Sequence, residues 1–548
     1  MGNRILKIHP KDNVIVALQD LFQGEELCWE GNRYTLLEDI PAKHKFFMQD
    51  MNFLDPIIMY GGLVGKAQCP IAAGSRMSTE NTKHAVEPYS YQPYAYEWEA
   101  PDISEFKDLT FEGYAREDGR VGTANYWLFI PTVFCENRNL DVIREALHNE
   151  LGYAVTAKYK SFTRELLQAY KQGVDLQALD LAQLSSPSET SNRVFKQVDG
   201  IKFLNHQGGC GGIRQDAAVL SKLLAAYADH PNVSGITILS LGCQNLQLSD
   251  LLSDIKKQNP NFNKPLYQFE QQQSQSEESL IKMAIQQTFV GLTQINKQKR
   301  TAQALSKLVL GVKCGGSDGF SGISANPAVG YASDLLVALG GTVLLAEFPE
   351  LCGAEQALIN RTPDESAARK FIQLMSDYSF AAEQAGSGFH MNPSPGNIKD
   401  GLITDAIKSS GAAKKGGTSP VVDVLDYTEK VKKPGLNLVC TPGNDVEATT
   451  GKAAAGATLI LFTTGLGTPT GNPICPVIKV ATNNNLAKRM SDIIDINTGA
   501  IIEGEKSIEE MGKDILRYCI EAASGRVIPK SVLLNQDDFI PWKRGVSL

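Results

Sequence analysis

At 548 residues the chain is longer than one ordinary domain and should divide into two to four. Its 43% hydrophobic and 21% charged residues suit a globular protein, and a formal net charge of −8 argues against nucleic acid or an anionic membrane as the main partner. The start MGNRILKIHPKDN lacks the layout of a signal peptide, no apolar run reaches the roughly 18 residues of a membrane span, and ten scattered cysteines read as reduced thiols. A cytoplasmic protein with no nucleic acid and no membrane among its partners is expected.

In chain order, residues 1–84 alternate short apolar runs (ILKI, NVIVAL, YTLLEDI, PIIMY) with glycine turns, which predicts a small all-β domain. Residues 85–109 form a linker, and the Tyr-, Pro- and acid-rich stretch 84–106 reads as an ordered strap on a neighbouring surface. From 110 to 265 strand, glycine turn and helix recur, as in YWLFIPTV, GIKFLNH and GITILSLGC, which predicts a second, α/β domain. Residues 151–200 break that rhythm and read as an insertion without chemistry. Residues 266–548 continue the α/β pattern through LVLGVKCGG, GTVLLAEF and a strand–turn–helix–strand unit in 426–469, and are expected to form the catalytic domain. In such folds ligands gather at the C-terminal ends of parallel strands.

Three cysteines end predicted strands inside glycine turns: Cys210 in NHQGGCGG, Cys243 in SLGCQN and Cys314 in VKCGGSDG. They read either as soft metal ligands and substrate contacts or simply as small residues that bury well beside glycine. His206, four residues before Cys210, is a candidate metal ligand or proton carrier, with a hydrogen-bonded structural histidine as the rival. His44, between Lys43 and Lys45 in a loop of the β-domain, suits a metal or a carboxylate substrate, or is a solvated basic turn. Past the strand in AEFPELCGAEQ, Glu347 follows the strand core, where a carboxylate is costly unless paired or metal-bound; Glu350 is a further candidate, whereas Glu355 is expected to cap a helix. Asp318 and Asp445 fall at similar turns. Polar glycine-rich runs such as SGISANP, MNPSPGN, TPGND and TTGLGTPTGNP suit a polyhydroxylated, carboxylated ligand, and none matches a nucleotide-binding motif.

Taken in order, KIHPKDNVIVALQDL, DIPAKHKF, YGGLVGKAQCPIAAG, REDGRVGTANYWLFIPTV, SLGCQN, KCGGSDGFSGISANP, EFPELCGAEQ, NPSPGN, TPGNDVEATTGKAAAGATLILFTTGLGTPTG, PVIKVATN and DFIPWKRGVSL resemble the altronate/galactarate dehydratase family over essentially the whole chain. The resemblance implies a small N-terminal SAF-type (β-clip) domain followed by a large Rossmann-like α/β catalytic body. It implies a hydro-lyase that converts an aldonic or aldaric acid to a 2-keto-3-deoxy acid: altronate to 2-dehydro-3-deoxy-gluconate in hexuronate breakdown, with galactarate as the alternative. It also implies activation by Fe2+, or Mn2+ in its place, no nucleotide, and a homo-oligomer, a dimer in the first instance. A non-catalytic sugar-acid-binding protein is the alternative of a different class. On this reading His44, His206, Glu347 and Asp318 carry the chemistry. His44, His206, Cys210, Cys243, Cys314 and Glu80 are the metal-ligand candidates, and Lys43, Asn326, Asn392, Asn397, Asn444 and Thr468 contact substrate. Glu80 enters because Ser78–Asn81 stand where some members carry His-x-His-Asn. Were the substrate a diacid, Arg214, Lys313 or Lys414 would meet its second carboxylate.

Overall fold

The computed structural model describes residues 4–154, 157–179 and 193–544. The stretch SSPSETSN of the expected insertion lies outside them, and the described part of that insertion includes a helix, Ala157–Lys171. None of the described helices is long and apolar enough to cross a membrane.

The N-terminal region is β-rich. Val14–Ala17 pairs antiparallel with Ile5–Leu6 and Lys45–Phe47, Glu26–Trp29 with Asn32–Thr35, and Gly62–Ala67 with Pro56–Met59 and Thr82–Lys83. Such short strands bury too little by themselves. Their apolar side chains Val16, Phe47, Ile57 and Met59 share one cluster with Phe320, Leu402 and Ile407 of the main body. The following segment lies along that body as the sequence suggested: Ser90 N donates to Gln356, Tyr96 Oη to Thr418 O (2.8 Å) and Trp98 Nε1 to Thr418 Oγ1 (3.2 Å).

The second region is a four-stranded parallel sheet. Numbering the strands of the two parallel sheets in chain order, β1 is Tyr126–Pro131, β2 Gly200–Phe203, β3 Val233–Ser240 and β4 Leu266–Glu270, and the spatial order is β2-β1-β3-β4. Because β4 extends this sheet and the helix Glu277–Ile295 packs against β3 and β4, the second body runs past the expected boundary at 265. It is entered and left through a neck in which Thr110–Ala115 pairs antiparallel with Thr301–Ala304.

The third region holds a seven-stranded, all-parallel sheet: β5 Val309–Cys314, β6 Thr342–Ala346, β7 Val421–Leu425, β8 Gly435–Val439, β9 Leu459–Thr464, β10 Val477–Ala481 and β11 Ile496–Asn497. Its order is β7-β8-β6-β5-β9-β10-β11. Both faces are covered, so the strands are near-continuous apolar runs rather than alternating ones. The chain leaves β5 toward β6 and later returns to its other side with β9, which makes the β5/β9 boundary the point where crossovers diverge. The helix Asp445–Ala455 joins β8 to β9. Asn444 caps it by accepting from Val446 N and Glu447 N, small residues carry it, and Gly456 at φ 118° ends it. It packs on the helix Arg214–Asp229 of the second body, where Tyr227 Oη donates to Thr450 O (3.2 Å), so the two α/β bodies share a continuous apolar core.

Candidate active site

At the C-terminal ends of β5, β6 and β8 the apolar strands give way to charge. Lys313, the penultimate residue of β5, is fully enclosed and pairs with Glu347 and with Asp445 Oδ1 (2.9 Å), while donating to Cys314 O (2.6 Å). Lys415 Nζ donates to Cys314 Sγ (2.8 Å), and Lys408 Nζ lies 3.0 Å from Glu350 Oε1. Lys452, from the last turn of the helix Asp445–Ala455, is buried with no hydrogen-bond partner for its ammonium group, and Glu347 Oε2 is likewise buried and unpartnered. Four lysines thus meet three carboxylates and a thiol. Charges so enclosed are costly unless matched, and their clustering marks a site for an anionic ligand. The side chains of Asp445 (29% exposed) and Lys408 (10%) mark where solvent reaches the group.

The two glutamates respond in opposite directions. Burial, reinforced by the Glu350 charge, raises the Glu347 carboxyl to about 7, although Lys313 opposes the shift. Burial also works against ionised Glu350, but Lys408, Lys313 and Lys415 outweigh it and hold that carboxyl below its ordinary range. Burial lowers the Lys452 ammonium to about 8 and raises the Cys314 thiol. Two groups that exchange protons near neutrality therefore stand beside one carboxylate that stays charged, a division suited to acid–base work. Glu347 itself sits at φ 73°, a left-handed conformation rare for a side-chain-bearing residue and found preferentially at functional sites.

Of the residues singled out from the sequence, Glu347 and Cys314 fall in this group, with Glu350, Asp445 and Lys313. Asn392 borders it, its Oδ1 accepting from Lys408 Nζ (3.0 Å). Asp318 lies at the next turn, fully buried, bonded to Ser321 and Thr482 and 3.1 Å from Lys43 Nζ, which also reaches Asp400 (2.9 Å). That pairing docks the β-domain loop 41–45 on the body. Gly319 and Gly401 permit the close approach, since a Cβ at either would lie 2.4 Å from Lys43 O. His44 belongs to the same loop, with Nε2 3.1 Å from Lys399 O and Nδ1 buried without a partner. Lys45, enclosed beneath it, donates to Gly401 O (2.7 Å), and burial lowers its ammonium to about 7.

The other residues serve local structure. His206 has both ring nitrogens engaged by backbone, Nε2 at Pro131 O (2.9 Å) and Nδ1 accepting from Gly208 N (3.0 Å), and burial lowers it to about 4, so it is a neutral imidazole that fixes its turn. Asn326 bridges Gly411 O and Thr463 Oγ1, Asn397 donates to Ser317 O, and Asn444 is consumed as a helix cap. Thr468 N donates to Thr464 Oγ1. Glu80 is exposed in a turn of the β-domain. Glu355 does not cap a helix as expected: it is the first residue of the helix Glu355–Asn360, accepts from Gly353 N, and leaves the N-cap position to Ala354, with no side chain capping the helix.

Cys210 and Cys243 are exposed and lie on adjoining loops, tied by Asn245 N donating to Gly209 O (2.9 Å). Cys210 and His206 line a cavity of about 570 Å³ with Asn137, Glu447, Phe539 and Trp542. Glu447 and Asp445 both belong to the first turn of Asp445–Ala455, so this helix start separates the Cys210 cavity from the Lys313 group. Cys314 is the one of the three cysteines that joins carboxylates within reach of a single ion: among the described residues its Sγ and oxygens of Glu347 and Glu350 lie within 4.8 Å of one another. Sequence reasoning missed Lys408, Lys415 and Lys452. A signal was present in Lys452, a lone charge inside TTGKAAAGA.

Comparison with known proteins agrees along the whole length. Three family models match: the altronate/galactarate dehydratase SAF domain over residues 3–85, the D-galactarate dehydratase/altronate hydrolase second domain over 113–296, and the D-galactarate/altronate dehydratase C-terminal domain over 305–547. The chain is 34% identical to the altronate dehydratase of Bacillus subtilis (strain 168) and 33% identical to that of Escherichia coli (strain K12), each match covering 99% of both chains. It is 33% identical to the galactarate dehydratase (L-threo-forming) of Escherichia coli (strain K12), over 95% of this chain and 93% of that protein.

Proposed function

The chain belongs to the altronate/galactarate dehydratase family, and from that premise we propose that it is a hydro-lyase eliminating water from a sugar acid, altronate first and galactarate as the alternative. The observation that carries the reading is the enclosed group of Lys313, Lys408, Lys415 and Lys452 around Glu347, Glu350 and Cys314 at the C-terminal ends of β5 and β6. Its surplus of ammonium groups complements a substrate carboxylate, and Lys408, nearest the open side, would hold it.

Elimination needs a base for the proton at C2 and an acid for the hydroxyl leaving C3. Near neutral pH Glu347 is the group ready to accept a proton and Lys452 the one ready to donate. Glu350 remains an anion that orients Lys408. Cys314, Glu347 and Glu350 fit a divalent iron or manganese ion, since a thiolate beside two carboxylates is a mixed donor set that such cations accept, and Glu347 Oε2 is buried and uncommitted. When bound, the ion would acidify the C2 proton of a coordinated hydroxy acid.

An anaerobic assay with ferrous iron, altronate and galactarate run side by side, and detection of the keto product tests the proposal. Release of a 2-keto-3-deoxy acid from one of them is expected, with kcat falling through about pH 8 as Lys452 loses its proton. Glu347→Gln and Lys452→Met should each lower kcat by about 10²–10⁴. Absence of turnover with either acid would refute the assignment.

A further inference from the structure

A second group of mixed ligands lies apart from the Lys313 site. His84 follows the last strand of the β-domain, Cys352 follows the turn Phe348–Leu351 that carries Glu350, and Asp405 opens the helix Asp405–Ala413. One nitrogen, one sulfur and one oxygen of these side chains lie within 4.8 Å of one another. Cys352 and Asp405 are buried and His84 is half-buried. The three converge from segments far apart in sequence.

Hydrogen bonding leaves this group unfinished. The Cys352 thiol meets the Asp405 carboxyl, and Ser409 donates to Asp405 Oδ1 (3.3 Å), but Asp405 Oδ2 and His84 Nδ1 are buried without a partner. Two unpartnered buried polar atoms in one place are costly, at about 1–3 kcal/mol each, and a structural role for a Cys–Asp hydrogen bond alone does not relieve them. A cation bound through them would.

We propose that His84, Cys352 and Asp405 form a site for a divalent ion of the zinc class, distinct from the Cys314 group, which fastens the end of the β-domain to the catalytic body. Thiolate, imidazole and carboxylate together suit zinc with solvent in the fourth tetrahedral position, whereas calcium and magnesium favour all-oxygen sites. Binding displaces the thiol proton, and the two ligand anions neutralise the ion. The site has a consequence for the chemistry beside it. Cys352 lies two residues after Glu350, and Asp405 one helical turn before Lys408, so an ion joining them fixes both members of the Glu350–Lys408 pair. His84, Cys352 and Asp405 are therefore positioning residues.

The test uses the full chain, stripped with chelator and titrated anaerobically with Co2+, whose thiolate complexes give a charge-transfer band in the near ultraviolet. The expected result is a band displaced by Zn2+, retained in Cys314→Ser and absent in the double variant Cys314→Ser/Cys352→Ser. His84→Ala, which alters a half-buried side chain, should keep the wild-type far-ultraviolet dichroism and weaken Co2+ binding by about tenfold or more. No band in Cys314→Ser, a band that survives when Cys352→Ser is added to it, or unchanged affinity when His84→Ala is added to it would each overturn the proposal. The readout is independent of turnover, so failure here leaves the dehydratase reading standing, and the reverse holds too.

Discussion

Lys313→Met is the most direct probe of the buried charge group. The substitution keeps the length and apolar stem of the side chain and removes only its ammonium, which pairs with Glu347 and Asp445 and donates to Cys314 O. Asp445 is partly exposed and can recruit water, but Glu347 is fully enclosed and has Glu350 as its neighbour. Breaking a buried pair by removing one partner costs about 3–5 kcal/mol. The third body, residues 305–547, is of a size at which each kcal/mol moves the midpoint by about 2–4 °C, so a loss of about 6–20 °C is expected in its transition.

The pH dependence gives the sign. Glu347 is raised in the folded state, so its contribution to stability is fully present below its unfolded value near 4.5 and is lost as pH rises through about 7. Without Lys313 the folded carboxyl shifts higher still, so the deficit of the variant should be largest at pH 8 and shrink by pH 6. Differential scanning calorimetry at both values measures it, and Lys313→Met/Glu347→Gln should recover most of the loss because the fully enclosed carboxylate that lost its partner is gone as well. A single variant that loses under about 1 kcal/mol at pH 8, the range of a solvent-exposed pair, or a double variant no more stable than the single, would refute the reasoning.

Three further outcomes follow from the geometry. In the native protein an alkylating reagent should label Cys210 and Cys243 quickly and leave Cys314, Cys440, Cys475 and Cys519 protected until unfolding, as mass spectrometry of the labelled peptides will read. Asp318→Asn weakens the docking of Lys43 while Asp400 remains, so a loss of about 1–3 kcal/mol and faster hydrogen exchange across 41–47 are expected. Gly401→Ala places a side chain at φ 92° against Lys43 O, which should cost at least about 1–2 kcal/mol and loosen the same loop; unchanged exchange there would mean that the loop is held by other contacts.

Much of this protein is written in local pattern. Apolar strands followed by glycine turns and helices dictate a parallel α/β body because such strands can be covered only by helices on both faces, and the short punctuated strands before residue 84 dictate a β-rich start. Glu347 and Cys314 could be singled out because a carboxylate and a thiol at strand ends need an explanation within a few residues of sequence. What local pattern could not decide is convergence. His206 and Asn444 look like ligand residues by composition, yet backbone groups two or three positions away engage them, an outcome fixed by the path of each turn. Lys408 and Lys415 stand on one helix and its exit, Lys452 on another and Lys313 on a strand, and only the strand order that brings β5 between β6 and β9 places their ammonium groups around the same two glutamates. Charge acts over a few ångströms in a low-dielectric interior, so the chemistry of this chain is set by distances that sequence separation does not encode.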